Sequence, residues 1–329
     1  MKKALLLGLV AALVLGLGIV PGAALAKDYK IKIGGGPTGG TFNTFANAMA
    51  IYVPKVYKNV QASAVGSGGS VENVKRVDKG ESDFGMCYAV DSDLGFKGKL
   101  PKDTVKYDKI RSMGYLYGAP AQLVVRKDSK FNTAMDLEGA RVAVGNAGSG
   151  AAASAERFFR HIGVWDKFSP QFLGYSAAAN AFKDGKIDAF WVLVGYPNRS
   201  IIEASVQVDI RLINVGADAE KSGFYKAYAY SPTSIPAGTY GKDMPECITF
   251  QDSTILTTNK AQEAELVYMV MKALWSKEGM AAMVSAKKTF KAMTLEKGFA
   301  GASVPLHQGA AKFWTEQGKT IPDNLKPID

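Results

Sequence analysis

The chain is poor in the side chains on which metal and nucleophilic chemistry most often depend, with two histidines and two cysteines in 329 residues. His161 and His307 stand far apart, without cysteine or carboxylate neighbours at metal-ligand spacing. That argues against a histidine-rich metal centre and against a histidine-based triad, and no metal or cofactor is expected. No Gly-Lys-Ser/Thr follows a glycine cluster and no Gly-x-Ser-x-Gly elbow occurs, so phosphate-loop and hydrolase motifs are missing. Beyond residue 26 no apolar run is long enough to span a bilayer. Blocks of like charge are also missing. The 40 Lys and Arg against 30 Asp and Glu give a formal charge of +10, but these residues are dispersed. Scattered lysines in an exported chain read as solvated faces with a mild attraction for anions, and no nucleic-acid partner is expected.

What is present begins with a leader. Met1-Lys2-Lys3, an apolar run from Ala4 to Val20, a turn at Pro21-Gly22 and Ala24-Leu25-Ala26 have the three parts of a secretory signal, so residues 1–26 are read as cleaved and the product as periplasmic. The remaining length suits two domains of ordinary size. In an oxidising compartment Cys87 and Cys247 could form one bridge; equally, Cys87 within Phe84-Gly85-Met86-Cys87-Tyr88 reads as a small buried apolar residue. Both readings stand at this level.

Glycine-rich junctions recur between strand-like and helix-like runs. Tyr29-Lys30-Ile31-Lys32-Ile33 enters Gly34 to Thr41, followed by the apolar stripe Phe42, Phe45, Met49 and Val53. Val65-Gly66-Ser67-Gly68-Gly69-Ser70 opens onto Val71, Val74 and Val77. Arg141-Val142-Ala143-Val144 runs into Gly145-Asn146-Ala147-Gly148-Ser149-Gly150 ahead of an Ala-rich helix, without the Gly-x-Gly-x-x-Gly spacing of a dinucleotide loop. Glycine allows close approach to the backbone, and the free N–H groups of a helix start carry partial positive charge, so such junctions suit an anion or carboxylate.

Strand-like and helix-like segments alternate to about Val215, which predicts an α/β architecture with largely parallel sheets. An echo links Lys79-Gly80-Glu81-Ser82-Asp83-Phe84 to Asp184-Gly185-Lys186-Ile187-Asp188-Ala189: a helix stops at glycine, and an aspartate precedes a buried strand. Ala121 to Arg126 and Thr254 to Thr258 read as strands crossing between two lobes. Lobe 1 is then discontinuous, residues 27–123 plus 250–329, and lobe 2 is residues 124–249. Asn259 is read as the N-cap of a helix running to Trp275, with a stripe at Leu266, Val270 and Leu274. A discontinuous lobe implies a hinge and an interlobe cleft, a preferred ligand site.

Read together, Gly39-Gly40-Thr41-Phe42, Gly68-Gly69-Ser70-Val71-Glu72-Asn73, Leu123-Val124-Val125-Arg126, Arg141 to Gly145 and Gly148-Ser149-Gly150 closely resemble the TAXI family of TRAP-transporter solute-binding proteins. Ile235-Pro236-Ala237-Gly238-Thr239-Tyr240 and Val304-Pro305-Leu306-His307-Gln308-Gly309-Ala310-Ala311 extend the likeness over the mature chain, and His307 in this setting reads as structural. The resemblance implies a two-lobed type II periplasmic-binding-protein fold and delivery of a ligand to TRAP transporter membrane subunits, including a fused permease, driven by an ion gradient. It also implies ligands such as glutamate, related amino acids or 2-oxoglutarate. The chain departs from the family at Phe42-Asn43, where paired tyrosines are common, at Tyr88, which replaces a usual glutamine, and at Ala151, where threonine is common. The type lacks the fixed arginine clamp of other TRAP binding proteins, which leaves helix N-termini to hold the carboxylate.

The expected ligand-binding residues are Gly39, Gly40, Thr41, Phe42, Gly69, Ser70, Tyr88, Asn146, Ser149, Gly150, Ala151, Gly195, Tyr196 and Pro197. Thr41, Ser70 and Ser149 also suit plain helix capping. Trp191 reads as core, and Tyr175 and Ser176 as weaker ligand candidates. The function expected is that of a receptor and not an enzyme, with an exported enzyme on a small anion or a ligand sensor as the rival readings.

Overall fold

The alternating runs fold as two copies of one βαβαβ unit. The computed structural model describes residues 27–328, so the expected leader, residues 1–26, lies outside the described residues. In the first copy β1 (Tyr29–Gly34), α1 (Thr41–Val56), β2 (Val60–Val65), α2 (Ser70–Asp78) and β3 (Phe84–Tyr88) follow one another, and α3 (Ala89–Phe96) and the long β4 (Ile110–Arg126) come next. The second copy is β5 (Arg141–Ala143), α4 (Gly150–His161), β6 (Ser169–Gln171), α5 (Tyr175–Lys183) and β7 (Ala189–Leu193). There follow α6 (Arg199–Ser205), β8 (Ile210–Ile213), α7 (Gly216–Ser222), α8 (Phe224–Ala227), β9 (Ser231–Ile235) and the second long strand, β10 (Cys247–Asn259). Helices α9 (Ala264–Leu274), α10 (Lys277–Ala286) and α11 (Gln308–Glu316) complete the chain.

The strands lie in the order β2-β1-β3-β10-β4-β7-β5-β6. Pairing is parallel within each copy, β1 with β2 and β3, and β5 with β6 and β7. The two long strands join them: β10 pairs antiparallel with β3 and with the first part of β4, and the last part of β4 pairs with β7 and β8. The separate strands expected at Ala121–Arg126 and Thr254–Thr258 are thus the ends of longer ones. Gly114, Gly118 and Pro120 conceal the continuity of β4, yet each has its place. A Cβ on Gly118, for instance, would lie 2.0 Å from the Gln251 side chain.

The echo between the copies is a shared device. Gly80 and Gly185 both take positive φ after a helix, where glycine costs least. The carboxylate beyond each then accepts a backbone N–H from the neighbouring parallel strand, Asp83 from Lys32 and Asp188 from Arg141, both at 2.7–2.8 Å. Each aspartate pins the register of the strand that follows it.

Parallel strands need crossovers, and their helices cover the sheet with apolar stripes. Phe42, Phe45, Met49 and Val53 of α1 are all buried, as the periodicity predicts. In the second copy Phe158 stacks on Trp191 with ring centroids 5.6 Å apart and meets Phe250 and Phe224. Trp191 is fully buried and donates its indole N–H to Ser154 Oγ at 3.0 Å. One expectation fails. Asn259 ends β10 and donates to the carbonyls of Val77 and Asp78, tying down the end of α2, while α9 starts later, with Glu263 as its N-cap residue. An asparagine ahead of an apolar stripe carries the same sequence signal in either role.

Phe158→Ala removes a ring from the middle of this aromatic cluster. It should lower unfolding stability by about 3–5 kcal/mol, read as a drop in the urea midpoint.

Candidate functional site

In a parallel sheet every strand-to-helix turn leaves from the carboxyl ends of the strands, so the helix starts gather along one edge. Here the starts of α1, α2, α4 and α5 gather on one cavity of about 410 Å³, counting its open mouth. Gly40, Thr41 and Phe42 reach its wall from α1, Gly68, Gly69 and Ser70 from α2, Asn146, Ser149, Gly150 and Ala151 from α4, and Gly174 and Tyr175 from α5. Pro37, Tyr88 and Val194 complete it, and no residue of the wall bears a formal charge. The first N–H groups of each helix have no intrahelical partner and carry its positive dipole end, so the four starts turn positive dipole ends towards the cavity without a cation.

The hydroxyl side chains play different parts. Ser149 is the N-cap of α4, accepting the Ala152 N–H at 3.0 Å. Ser70 accepts the Tyr88 N–H at 2.8 Å and so ties α2 to the end of β3. Thr41 begins α1, is 1% exposed, and its hydroxyl has no hydrogen-bond partner among the described residues.

Across the cavity the two copies meet closely. Tyr88, from the end of β3, donates its hydroxyl to the carbonyl of Leu193 at the end of β7, and Tyr175 donates to the same carbonyl. Burial pushes both phenols above their ordinary range. The Tyr88 ring lies 5.0 Å from that of Phe42 and packs on Gly150, where a Cβ would come 2.3 Å from the ring. Gly69, at φ 125°, fits against Ser149 in a conformation that only glycine adopts readily.

Behind this wall lies a buried ionic cluster. Asp91 on α3 pairs with Arg157 on α4 at 2.7 Å, and Arg157 also donates to the Tyr230 hydroxyl. Asp252 on β10 accepts the Val90 N–H at 3.4 Å, and burial, followed by the charge of Asp91, raises its carboxyl well above the usual range. The expected alternatives for the cysteines are decided: Cys87 and Cys247 are both free and buried, and burial raises both thiols to about 12. Cys87 sits on β3 beside Thr257, and Cys247 opens β10 near the carbonyl of Ile213, so no bridge joins them. His307 caps α11 through its ring, the structural part read for it.

Ten of the fourteen residues expected from the sequence share this cavity. Gly39 precedes the wall residue Gly40 and is not itself part of the wall; a Cβ there would lie 3.3 Å from Ser176 Oγ. Gly195, Tyr196 and Pro197 do not reach the wall: Gly195 backs onto Thr289, and Tyr196, half-buried, packs with the apolar cluster of α5 and β7. The wall residues absent from the expected set are Pro37, Gly68, Gly174, Tyr175 and Val194. Gly174 precedes the fourth helix start, and the only sequence signal for it is one glycine before an Ala-rich segment.

Residues 33–318 match the sequence model of the NMT1-like family. The chain belongs to that family. Among solved structures, a chain from Listeria monocytogenes provisionally named an L-cystine ABC transporter is 13% identical; the match covers 80% of this chain and 95% of that one, with a TM-score of 0.50. The periplasmic aliphatic sulphonate binding protein SsuA from Escherichia coli is 14% identical over 88% of this chain and 84% of its own, with a TM-score of 0.46. A TctC solute binding protein from Polaromonas is 17% identical over 88% and 96%, also with a TM-score of 0.46. At such identities the likeness concerns fold alone, and the fold of this NMT1-like chain is the two-lobed α/β fold of periplasmic binding proteins.

Two substitutions probe this NMT1-like site. Gly150→Ala puts a methyl group into the Tyr88 ring and the Asp91 carboxylate, so the two copies should be pushed apart there, and the radius of gyration in solution scattering should exceed that of the wild type. Asp252→Asn tests the buried carboxyl. A carboxyl held above its ordinary value binds its proton more tightly folded than unfolded; its contribution is complete below the unfolded value, near 3.9, and is lost as pH rises through the folded one. The wild type should therefore weaken by about 1.4 kcal/mol per pH unit across that window, and the Asp252→Asn variant should show a flatter slope in urea titrations between pH 4 and 8.

Proposed function

We propose that this chain is an extracytoplasmic solute receptor of the TAXI type, which captures a small carboxylate between its two lobes and hands it to the membrane subunits of a TRAP transporter. Lobe 1 is residues 27–123 with 250–329, lobe 2 is residues 124–249, and the place of action is the periplasm. The observation that carries this reading is the gathering of four helix starts, two from each βαβαβ copy, on one cavity whose wall bears no charged side chain. Such a wall attracts an anion by dipoles and N–H donors and offers no buried cation to hold it permanently. Its glycines, Phe42, Tyr88 and Val194 leave room for a compact, partly apolar body.

Nothing in the wall suits chemistry on the bound molecule. Its hydroxyls come from Thr41, Ser70, Ser149 and two tyrosines, without a histidine, lysine or carboxylate among the wall residues to activate them. Binding followed by release, and not turnover, is the behaviour of such a cavity. No helix among the described residues is long and apolar enough to cross a membrane. In this reading the membrane subunits of the transporter are separate chains.

A thermal-shift series over amino acids, dicarboxylates, oxoacids, sulfonates and sugars tests the reading. Glutamate, 2-oxoglutarate or a related small carboxylate should raise the melting temperature by several degrees, since a hundredfold excess over Kd adds about 2.7 kcal/mol. Stabilisation by neutral sugars alone would overturn it.

A further inference from the structure

We propose that Gln122 and Tyr240, neither of which lines the cavity, are positioning residues that fix its wall at Val194 and through it the affinity for the solute. The inference rests on the receptor reading above. Val194 lies just beyond the last residue of β7 and is 2% exposed, so its buried N–H and carbonyl need partners beyond the ladder of that strand. Both come from β4. The N–H donates to the carbonyl of Pro120 at 3.2 Å, and the carbonyl accepts Nε2 of Gln122 at 3.0 Å. This is also where β4 changes partner: its last pairing with β10 is Pro120 with Gln251, and its first with β7 is Ala121 with Leu193. The wall at Val194 thus hangs on the strand crossing between the two copies.

A side-chain amide can face a carbonyl usefully in one way only. The Val194 oxygen can only accept, so Nε2 has to face it and Oε1 has to find a donor elsewhere. Tyr240 is that donor. Its hydroxyl donates to Gln122 Oε1 and accepts the Asn198 N–H at 2.9 Å, and Asn198 Oδ1 in turn caps α6, accepting from Ser200 and Ile201 at 3.0 and 3.2 Å. Gln122, Tyr240 and Asn198 are all buried, so water cannot replace a lost link in the chain from Asn198 to Val194. The effect reaches the cavity through two neighbours. Val194 is itself a wall residue, and the Leu193 carbonyl before it accepts the hydroxyls of the wall residues Tyr88 and Tyr175. The segment Ile235 to Tyr240 places no residue in the wall, and the Tyr240 hydroxyl is its route to the site.

The test uses the full chain. Glutamate, 2-oxoglutarate, pyruvate and isovalerate are titrated calorimetrically into the wild type, and the tightest becomes the probe. Tyr240→Phe removes the hydroxyl and keeps the ring, while Gln122→Met keeps the length of the side chain and removes its amide. Each should weaken probe binding about fivefold or more and speed hydrogen exchange at the amides of Val194 and Asn198. The double variant should bind within about twofold of the weaker single one, because the second change acts on a chain already broken; independent structural damage would multiply the losses. Multiplied losses overturn the proposal. Tyr240→Phe decides alone where Gln122→Met does not fold: unchanged affinity, or unchanged exchange at the two amides, overturns the positioning and leaves the receptor reading intact. If none of the four acids binds the wild type, the receptor reading for carboxylates falls, and the control of affinity with it.

Discussion

The constraint on which the rest of the molecule depends is that the first N–H groups of an α-helix cannot be satisfied within it. One helix start is a weak and common feature. What this fold adds is parallel pairing, β1 with β2 and β3, and β5 with β6 and β7, which forces every turn into a helix onto the same edge of the sheet. Two such units joined through β4 and β10 then face each other edge to edge, and their unsatisfied groups share one cavity. The glycines at the contact follow from this: Gly69 and Gly150 stand where the copies come closest, and a side chain on Gly150 would meet Tyr88 before it met a ligand.

Closeness of the copies also explains where the buried charge lies. Asp91 belongs to the first copy's sheet, through α3, and Arg157 to the second, through α4, so their ion pair spans the junction directly behind the cavity wall. Such pairs return little net stability, because desolvation consumes most of the attraction, but losing one partner leaves an uncompensated charge. The same desolvation holds the Asp252 carboxyl beside them well above the usual carboxylate range. The cluster thus fixes the relative position of the two copies more than it strengthens the whole.

Much of this was legible in the sequence. Three glycine-rich junctions and the echo of Gly80 and Asp83 in Gly185 and Asp188 are local features, and each serves a local purpose, whether a close approach, a helix stop or a pinned register. Nine of the wall residues follow from the junctions and the helix starts they open, and Tyr88 from the resemblance. Features that depend on a distant partner were not legible. The start of α5 carries one glycine because its neighbour there is the small side chain of Asn146 and not a backbone. The stretch Gly195 to Pro197 looks like a ligand loop by position after β7, but Thr289 from the C-terminal segment occupies the space behind it. Asn259 could cap the helix ahead or the helix behind, and only the fold brings the end of α2 within its reach.

Magnitudes set how such a cavity can work as a receptor. A helix end contributes about 0.3–1 kcal/mol towards an anion, or up to roughly 2 when partly buried, whereas micromolar affinity needs about 8 kcal/mol after the cost of association is met. Dipoles alone fall short, and hydrogen bonds from N–H groups and hydroxyls of both lobes, about 1.5–3 kcal/mol each to a charged acceptor, have to supply the difference. In the proposed receptor those donors would act together only with the lobes closed, so the free energy of closing would enter the affinity directly. If closure were strongly favourable by itself, the protein would stay shut and could not take up solute; if strongly unfavourable, binding would be consumed by it. The contacts that cross between the copies are the Asp91–Arg157 pair and the Tyr88 hydroxyl on the Leu193 carbonyl, and a buried pair of that kind returns little net stability while it fixes geometry.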